Sequence, residues 1–322
     1  MTDVKLSAIM GVKFRNVGVI GKYMKKQIEH LKRVKNAVIL AHYYAPAKVQ
    51  EIADYVGDSF YLAKVAKQSD ADIIVFCGVR FMGESAKILN PDKKVLMPDP
   101  SADCPMAHMV ADGVIEGMRK RYDDLAVVCY INSTAELKCK SDVCVTSSNA
   151  VKIVKALPNK NIFFIPDKNL GSFVAKQVPE KNIILNDGSC PIHARITKEQ
   201  VCAEREKYPD ARILTHPECD AAVVALSDYV GSTAEIIDYA KQSMAKEFII
   251  CTEEGVDYRL MTDNPDKHFY FPHPHPCCAD MKYNTVESVL AVLQKEDQEI
   301  IVDEEVRRLA LLPLERMLGL AK

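Results

Sequence analysis

The sequence predicts an α/β protein: three similar parallel-sheet units arranged about a pseudo-threefold axis around a central active-site cavity. Three observations lead there. Short β-branched runs alternate with helical stretches along most of the 322 residues, which is the pattern of parallel α/β structure. Those runs recur three times with a period of about 87 residues, the mark of a repeated unit. A cysteine follows the last run of each copy, at Cys104, Cys190 and Cys278, with intervals of 86 and 88 residues.

Along the chain, IGKYMKKQIEHLKRVK reads as an amphipathic lead-in helix with a solvated basic face. The repeats open on buried-type strands, AVILAHYY at 37, AVVCYINS at 126 and ARILTHPE at 211, each ending in polar or aromatic residues. A helix follows, then a small-residue turn expected to start another helix: VGDSF at 56, VTSSN at 145 and VGSTA at 230. Second strands come as IIVFCG at 73, IFFIPD at 162 and FIICTE at 248, and third strands as KVLMPD at 94, IILNDG at 183 and HFYFPH at 268. In GVRFMGESAKILNP, the residues Phe81, Met82, Ala86, Ile88 and Leu89 supply a helical apolar face, with Arg80 and Glu84 as structural ion-pair partners. The tail, VESVLAVLQK and EEVRRLALLPLERMLGL, is helical and is expected to pack back on the first unit. The expected divisions are 1–109, 110–195, 196–285 and 286–322.

A 48% hydrophobic composition provides ample core for two or three domains. No apolar run is long enough to span a bilayer and the start lacks a signal-peptide block, so a cytoplasmic protein is expected. Residues 1–36 carry nine Lys or Arg against Asp3 and Glu29. The remainder is acidic and has no basic stripe with interleaved aromatics, so neither nucleic acid nor membrane is an expected partner.

Eleven cysteines imply reduced thiols available for metal or catalysis. There is no C-x-x-C, the nearest approach being Cys139 and Cys144, which argues against a zinc ribbon. In FPHPHPCCADMKYNT, Cys277 and Cys278 are neighbours in a proline-stiffened stretch and point to opposite sides. Cys278 is in register with the repeat and Cys277 is not. Ligands in open α/β sheets bind beyond the carboxyl ends of the strands. Three such ends turned toward one axis bring Cys104, Cys190 and Cys278 together, a set suited to an iron-sulfur cluster with one iron left open. Cys77, Cys129 and Cys251 lie inside apolar runs and behave as small hydrophobes.

The blocks AHYYAP, CGVRFMGESAKILNPDKKVLMPD, YINSTAELK with TSSNA, CPIH, THPEC and CADMK together resemble the quinolinate synthase family, over about residues 30–295. The resemblance implies three α/β domains and one 4Fe-4S cluster per chain, held by one cysteine from each. It also implies condensation of iminoaspartate with dihydroxyacetone phosphate to quinolinate, phosphate and water, in NAD biosynthesis. A functional link to an iminoaspartate-producing enzyme and a homodimer follow on the same ground.

Chemistry assigns expected roles. Ser59, Ser147 and Thr233 lie in the three small-residue turns, where helix-start N–H groups and a hydroxyl form anion sites; the resemblance makes them substrate contacts. His42 and Tyr44, Tyr130 and Asn132, and His216 and Glu218 stand at the first strand ends, where reacting groups belong. Glu218, the carboxylate of that set, is the acid-base candidate. Tyr44 and Tyr130 are donors to a developing oxyanion, and protonated histidines would hold substrate anions. His193, in CPIH, matches a family active-site histidine. Two other classes stay open: an iron-sulfur sensor without turnover, and a zinc hydrolase using His273, His275 and Cys278.

Overall fold

The computed structural model describes residues 23–322, so the first part of the basic arm lies outside the described residues. Helix α1 covers residues 23–34. The first unit then runs β1 (Ala37–His42), α2 (Ala47–Gln50), β2 (Tyr55–Gly57), α3 (Ser59–Gln68), β3 (Ile73–Cys77), α4 (Arg80–Leu89) and β4 (Lys94–Leu96). After α5 (Val114–Arg121), the second is β5 (Leu125–Tyr130), α6 (Ala135–Cys139), β6 (Val143–Val145), α7 (Ala150–Ala156), β7 (Asn161–Ile165), α8 (Lys168–Gln177) and β8 (Asn182–Leu185). After α9 (Lys198–Lys207), the third is β9 (Arg212–Thr215), α10 (Ala221–Val224), β10 (Tyr229–Val230), α11 (Thr233–Gln242), β11 (Glu247–Cys251), α12 (Asp257–Asp263) and β12 (His268–Tyr270). Short α13 (Ala279–Lys282), α14 (Val286–Lys295) and α15 (Glu304–Leu320) close the chain.

The three sheets are four-stranded and share one order: β2-β1-β3-β4, β6-β5-β7-β8 and β10-β9-β11-β12. All their pairings are parallel. The predicted α/β triplication is therefore the architecture, with one correction: each unit has four strands, not three. The extra strand is the start of the small-residue turn, too short and too polar at its end to carry a β pattern of its own.

Equivalent hydrogen bonds repeat with the sheets. Asp54, Asp142 and Asp228 each accept the backbone N–H of the opening strand, from Ile39 at 2.8 Å, Val127 at 2.6 Å and Ile213 at 2.8 Å. The N–H of each aspartate returns a bond to the carbonyl of the same residue at 2.9 Å. A carboxylate thus anchors the approach to the short strand in every unit.

Each sheet is covered on both faces, which is why its strands read as continuous apolar runs. On β1, Val38 and Leu40 face a core shared with the second unit, whereas Ile39 and Ala41 pack with Ile28 of α1 and Val289, Val292 and Leu293 of α14. Helix α14 thus lies on the first unit beside α1. The tail departs from expectation in α15, which packs against α6, β6 and α7 of the second unit as well as α4. Its Ala310, Leu314 and Met317 are fully buried in that shared core. Glu84, buried on α4, joins the same two units: Oε1 accepts from Arg80 Nε at 3.0 Å and Oε2 from the Ala135 N–H at 3.0 Å. No helix among the described residues is long and apolar enough to cross a membrane.

Candidate functional site

Strand pairing puts the site residues on a common frame. His42, the last residue of β1, stands opposite Gly57 of β2, and Tyr130 of β5 stands opposite Val145 of β6. In the third sheet, Thr215 pairs with Val230, so His216 is the matching next residue. His42, Tyr130 and His216 are therefore equivalent, as are Tyr44, Asn132 and Glu218 two residues on. By the same register, Ser59, Ser147 and Thr233 are equivalent turn residues.

All of these, with His193 and the three repeat cysteines, line one cavity, together with the apolar Val79, Phe81, Met82 and Met281. Cys277 faces outward instead. His273 and His275 are exposed and absent from the cavity lining, so the hydrolase triad with Cys278 is not assembled.

The turns are not all helix starts. Ser59 and Thr233 are the first residues of α3 and α11, behind the capping side chains of Asp58 and Ser232. Ser147 lies before α7, which begins at Ala150. There the Asn149 side chain accepts the Thr146 N–H at 2.7 Å, a side-chain turn that delays the helix.

Polar contacts run continuously across the cavity wall. The Tyr44 hydroxyl lies 2.8 Å from Thr233 Oγ1 and 2.7 Å from Thr252 Oγ1. Thr252 Oγ1 lies 2.9 Å from His193 Nε2. His193 Nδ1 is 2.7 Å from Glu218 Oε2 and 3.2 Å from Cys190 Sγ. Glu218 can only accept when ionised, so His193 Nδ1–H donates to it, Nε2 accepts from Thr252, and Thr252 accepts from Tyr44. Glu218 Oε1 and Asn132 Oδ1 are buried and find no hydrogen-bond partner among the described residues.

Burial alone raises the Glu218 pKa, but the hydrogen bond it accepts from His193 Nδ1–H opposes that and holds the carboxyl below its usual range. Burial pushes His42 and His216 down to about 3, with His216 adding to the effect at His42. The two imidazoles are neutral, which corrects the expectation that they bind anions as cations. His42 Nδ1 accepts the Tyr44 N–H at 3.1 Å, so its Nε2 carries the proton and is a donor. Burial and the Glu218 charge keep Tyr44 and Tyr130 well above the ordinary phenol value, so both remain O–H donors.

Residues 26–319 match the family model described as quinolinate synthetase A protein. The chain belongs to the quinolinate synthase family. It is 55% identical over 298 residues to the quinolinate synthase of Caldicellulosiruptor saccharolyticus, covering 92% of this chain and 98% of that protein. Identity is 52% to that of Fusobacterium nucleatum, covering 92% and 99%, and 48% to that of Aquifex aeolicus, covering 93% and 95%.

Against the metal-cluster chemistry expected of a quinolinate synthase, the donor set fits. Cys104, Cys190 and Cys278 are free thiols on the cavity wall, each just ahead of a helical turn. In all three the backbone N–H three residues on is directed at the sulfur, from Ala107, His193 and Met281. Such N–H groups stabilise a thiolate. Burial nevertheless raises all three thiols, Cys104 to about 12, so a metal is needed to keep them ionised. Cys190, His193 and Glu218 also bring ligand atoms within 4.8 Å of one another, a second possible grouping for one ion.

Several groups at or behind the cavity wall escaped sequence reasoning. Asp167, fully buried, caps α8 through the Asn169 and Leu170 N–H groups and also accepts the Cys190 N–H at 3.1 Å. Glu253 accepts the Cys278 N–H at 2.9 Å and pairs with Lys282 Nζ at 2.8 Å. Both follow second strands, at IPD and CTE, where a polar residue after an apolar run was an available signal. Thr252, the link between Tyr44 and His193, had none.

Proposed function

We propose that this chain is a quinolinate synthase of NAD biosynthesis, condensing iminoaspartate with dihydroxyacetone phosphate in the central cavity with loss of phosphate and water. One observation carries the reading: a base with a free oxygen, two neutral phenols, three hydroxyl-bearing turns and three thiols all line the same cavity. Cys104, Cys190 and Cys278 would hold a 4Fe-4S cluster, which supplies an open iron as a Lewis acid for a departing oxygen.

The remaining work falls to the chain. Ser59, Ser147 and Thr233, with the N–H groups of their turns, bind the phosphate and carboxylates. The Val79, Phe81, Met82 and Met281 wall excludes water, which strengthens every polar contact inside. Glu218 Oε1 takes the proton released when the imine isomerises to its enamine and gives it up in the dehydration. His193 fixes Glu218 by donating to Oε2, and its own tautomer is fixed by Thr252 and Tyr44. Tyr130 and the Nε2–H of His42 donate to substrate oxygens as charge builds on them.

The test is purification without oxygen, followed by the visible spectrum, iron content and a quinolinate assay. A brown protein with turnover is expected. A brown protein without turnover would favour a sensor, and a colourless zinc protein would favour a single ion at Cys190, His193 and Glu218.

A further inference from the structure

We propose a second metal site on the outer side of the third cysteine loop, in which His275, Cys277 and Glu254 bind one zinc-class divalent cation. The site is separate from the central cavity, which none of these three residues lines.

The placement follows from the chain direction. In extended backbone, residues two apart share a side and neighbours oppose. With Cys278 turned into the cavity, Cys277 and His275 fall together on the outer face. Glu254, just past β11, meets them there because its N–H donates to the Pro276 carbonyl at 2.8 Å, fastening the proline stretch to the strand end. His275 Nδ1 lies 3.5 Å from Glu254 Oε2. Ligand atoms of Glu254, Cys277 and Glu253 lie within 4.8 Å of one another.

Zinc takes nitrogen and oxygen at about 2.0–2.2 Å and sulfur at about 2.3 Å, so the edges of its tetrahedron are about 3.3–3.7 Å. The His275 to Glu254 separation already has that value, and the Cys277 thiol lies within 4.8 Å of the Glu254 carboxylate. Glu253 is not a fourth ligand. Its Oε1 is held by Lys282 and the Cys278 N–H, and its Oε2 by the Gly255 N–H at 2.7 Å. The fourth position is left to water, with His275, Cys277 and Glu254 all solvent-accessible and an entry path open.

The surroundings favour a cation. Glu254 and Asp257 face His275. Of the nearby positive charges, Lys282 is engaged by Glu253 and by the Tyr44 carbonyl at 2.8 Å, and Arg195 lines the same surface pocket as His275 and Cys277. A thiolate, an imidazole and a carboxylate select a borderline-soft ion over magnesium or calcium. Bound there, the ion would clamp the end of β11 to the approach to Cys278 and stabilise the folded state by mass action.

The test uses the cluster-loaded enzyme, kept anaerobic, titrated with zinc and separately with cobalt(II) as a coloured substitute. Saturation near one equivalent is expected, with a thiolate-to-cobalt charge-transfer band and a higher Tm. Cys277→Ser should abolish the band and His275→Ala should weaken zinc uptake by more than about a hundredfold, beyond what the loss of an outer partner costs. Both changes are at exposed positions, and unchanged iron content and cluster absorption would show that the fold and cavity are intact. Zinc uptake that fails to saturate, or that saturates equally well in both variants, overturns the site. A Cys278→Ser control separates the two readings, because loss of the cluster there should leave the cobalt band in place.

Discussion

Glu218→Gln is the sharpest probe of the cavity chemistry. The substitution keeps the shape and an acceptor for His193 Nδ1–H, 2.7 Å from Oε2 in the native enzyme, but removes the base. Glu218 is ionised because the hydrogen bond from His193 Nδ1–H offsets the cost of its burial, and its Oε1 has no hydrogen-bond partner. An amide keeps the shape but carries neither the charge nor the basicity. A positioned acid-base group contributes about 10²–10⁴ in rate, or about 2.7–5.4 kcal/mol of transition-state stabilisation at 1.36 kcal/mol per tenfold. The expected result is a kcat lower by that factor with KM changed much less, because the hydroxyl-bearing turns still hold the substrates. Iron content and visible spectrum should match the parent. The assay is quinolinate formation under anaerobic conditions, in steady state and in a single turnover that isolates chemistry from release. A variant with full iron and kcat within about tenfold of the parent would remove Glu218 from proton transfer, leaving it as a partner that orients His193.

Other perturbations test the remaining parts. Serine at Cys104, Cys190 or Cys278 should each lose the brown chromophore and its iron, whereas Cys277→Ser should keep both; iron analysis decides. Glu84→Leu strands the Ala135 N–H, which Glu84 Oε2 accepts at 3.0 Å across the first two units. An unsatisfied buried donor costs about 1–3 kcal/mol, read as a lower denaturation midpoint with an unchanged m-value. Glu296, hydrogen-bonded to Lys35 and Lys94 at 2.5 Å each, is held down to about 2. Its folded pKa is depressed, so its stabilisation is fully present above the unfolded value near 4.5 and is lost as pH falls through about 2. Glu296→Gln should therefore cost about 1 kcal/mol or less, the pairs being partly exposed, and that difference should vanish in unfolding curves between pH 4.5 and 2.

The triplication was legible because period and chemistry repeat together: an apolar run, a small-residue turn and a cysteine reappear at nearly fixed intervals. Lining residues were legible for the same reason, since the carboxyl ends of parallel strands are where polar residues interrupt apolar runs. What the sequence concealed depends on geometry across units. The neutral state of His42 and His216 comes from complete burial, and no local pattern distinguishes a buried strand-end histidine from an exposed one. The short strands β2, β6 and β10 have only two or three residues each, below any periodic signal. Thr252 matters because it meets Tyr44 from the first unit and His193 from the second. The path of α15 onto the second unit is set by a groove formed from α4, α6 and β6, elements distant from it in the chain.

Threefold repetition explains how the cavity is shaped, and departures from it explain how the cavity reacts. The frame is common to the units: matching aspartates anchor the short strands, and matching cysteines receive an N–H from three residues on. At the position two residues past the opening strand, however, the units place a phenol, an amide and a carboxylate, Tyr44, Asn132 and Glu218. Three carboxylates there would repel both a dianionic phosphate and one another, and burial would force most of them to take up protons. A single carboxylate, held by the His193 Nδ1–H, stays ionised beside two neutral donors. The arrangement therefore sets one ionised carboxylate apart from the neutral donors, which a perfectly symmetric triplicate could not do.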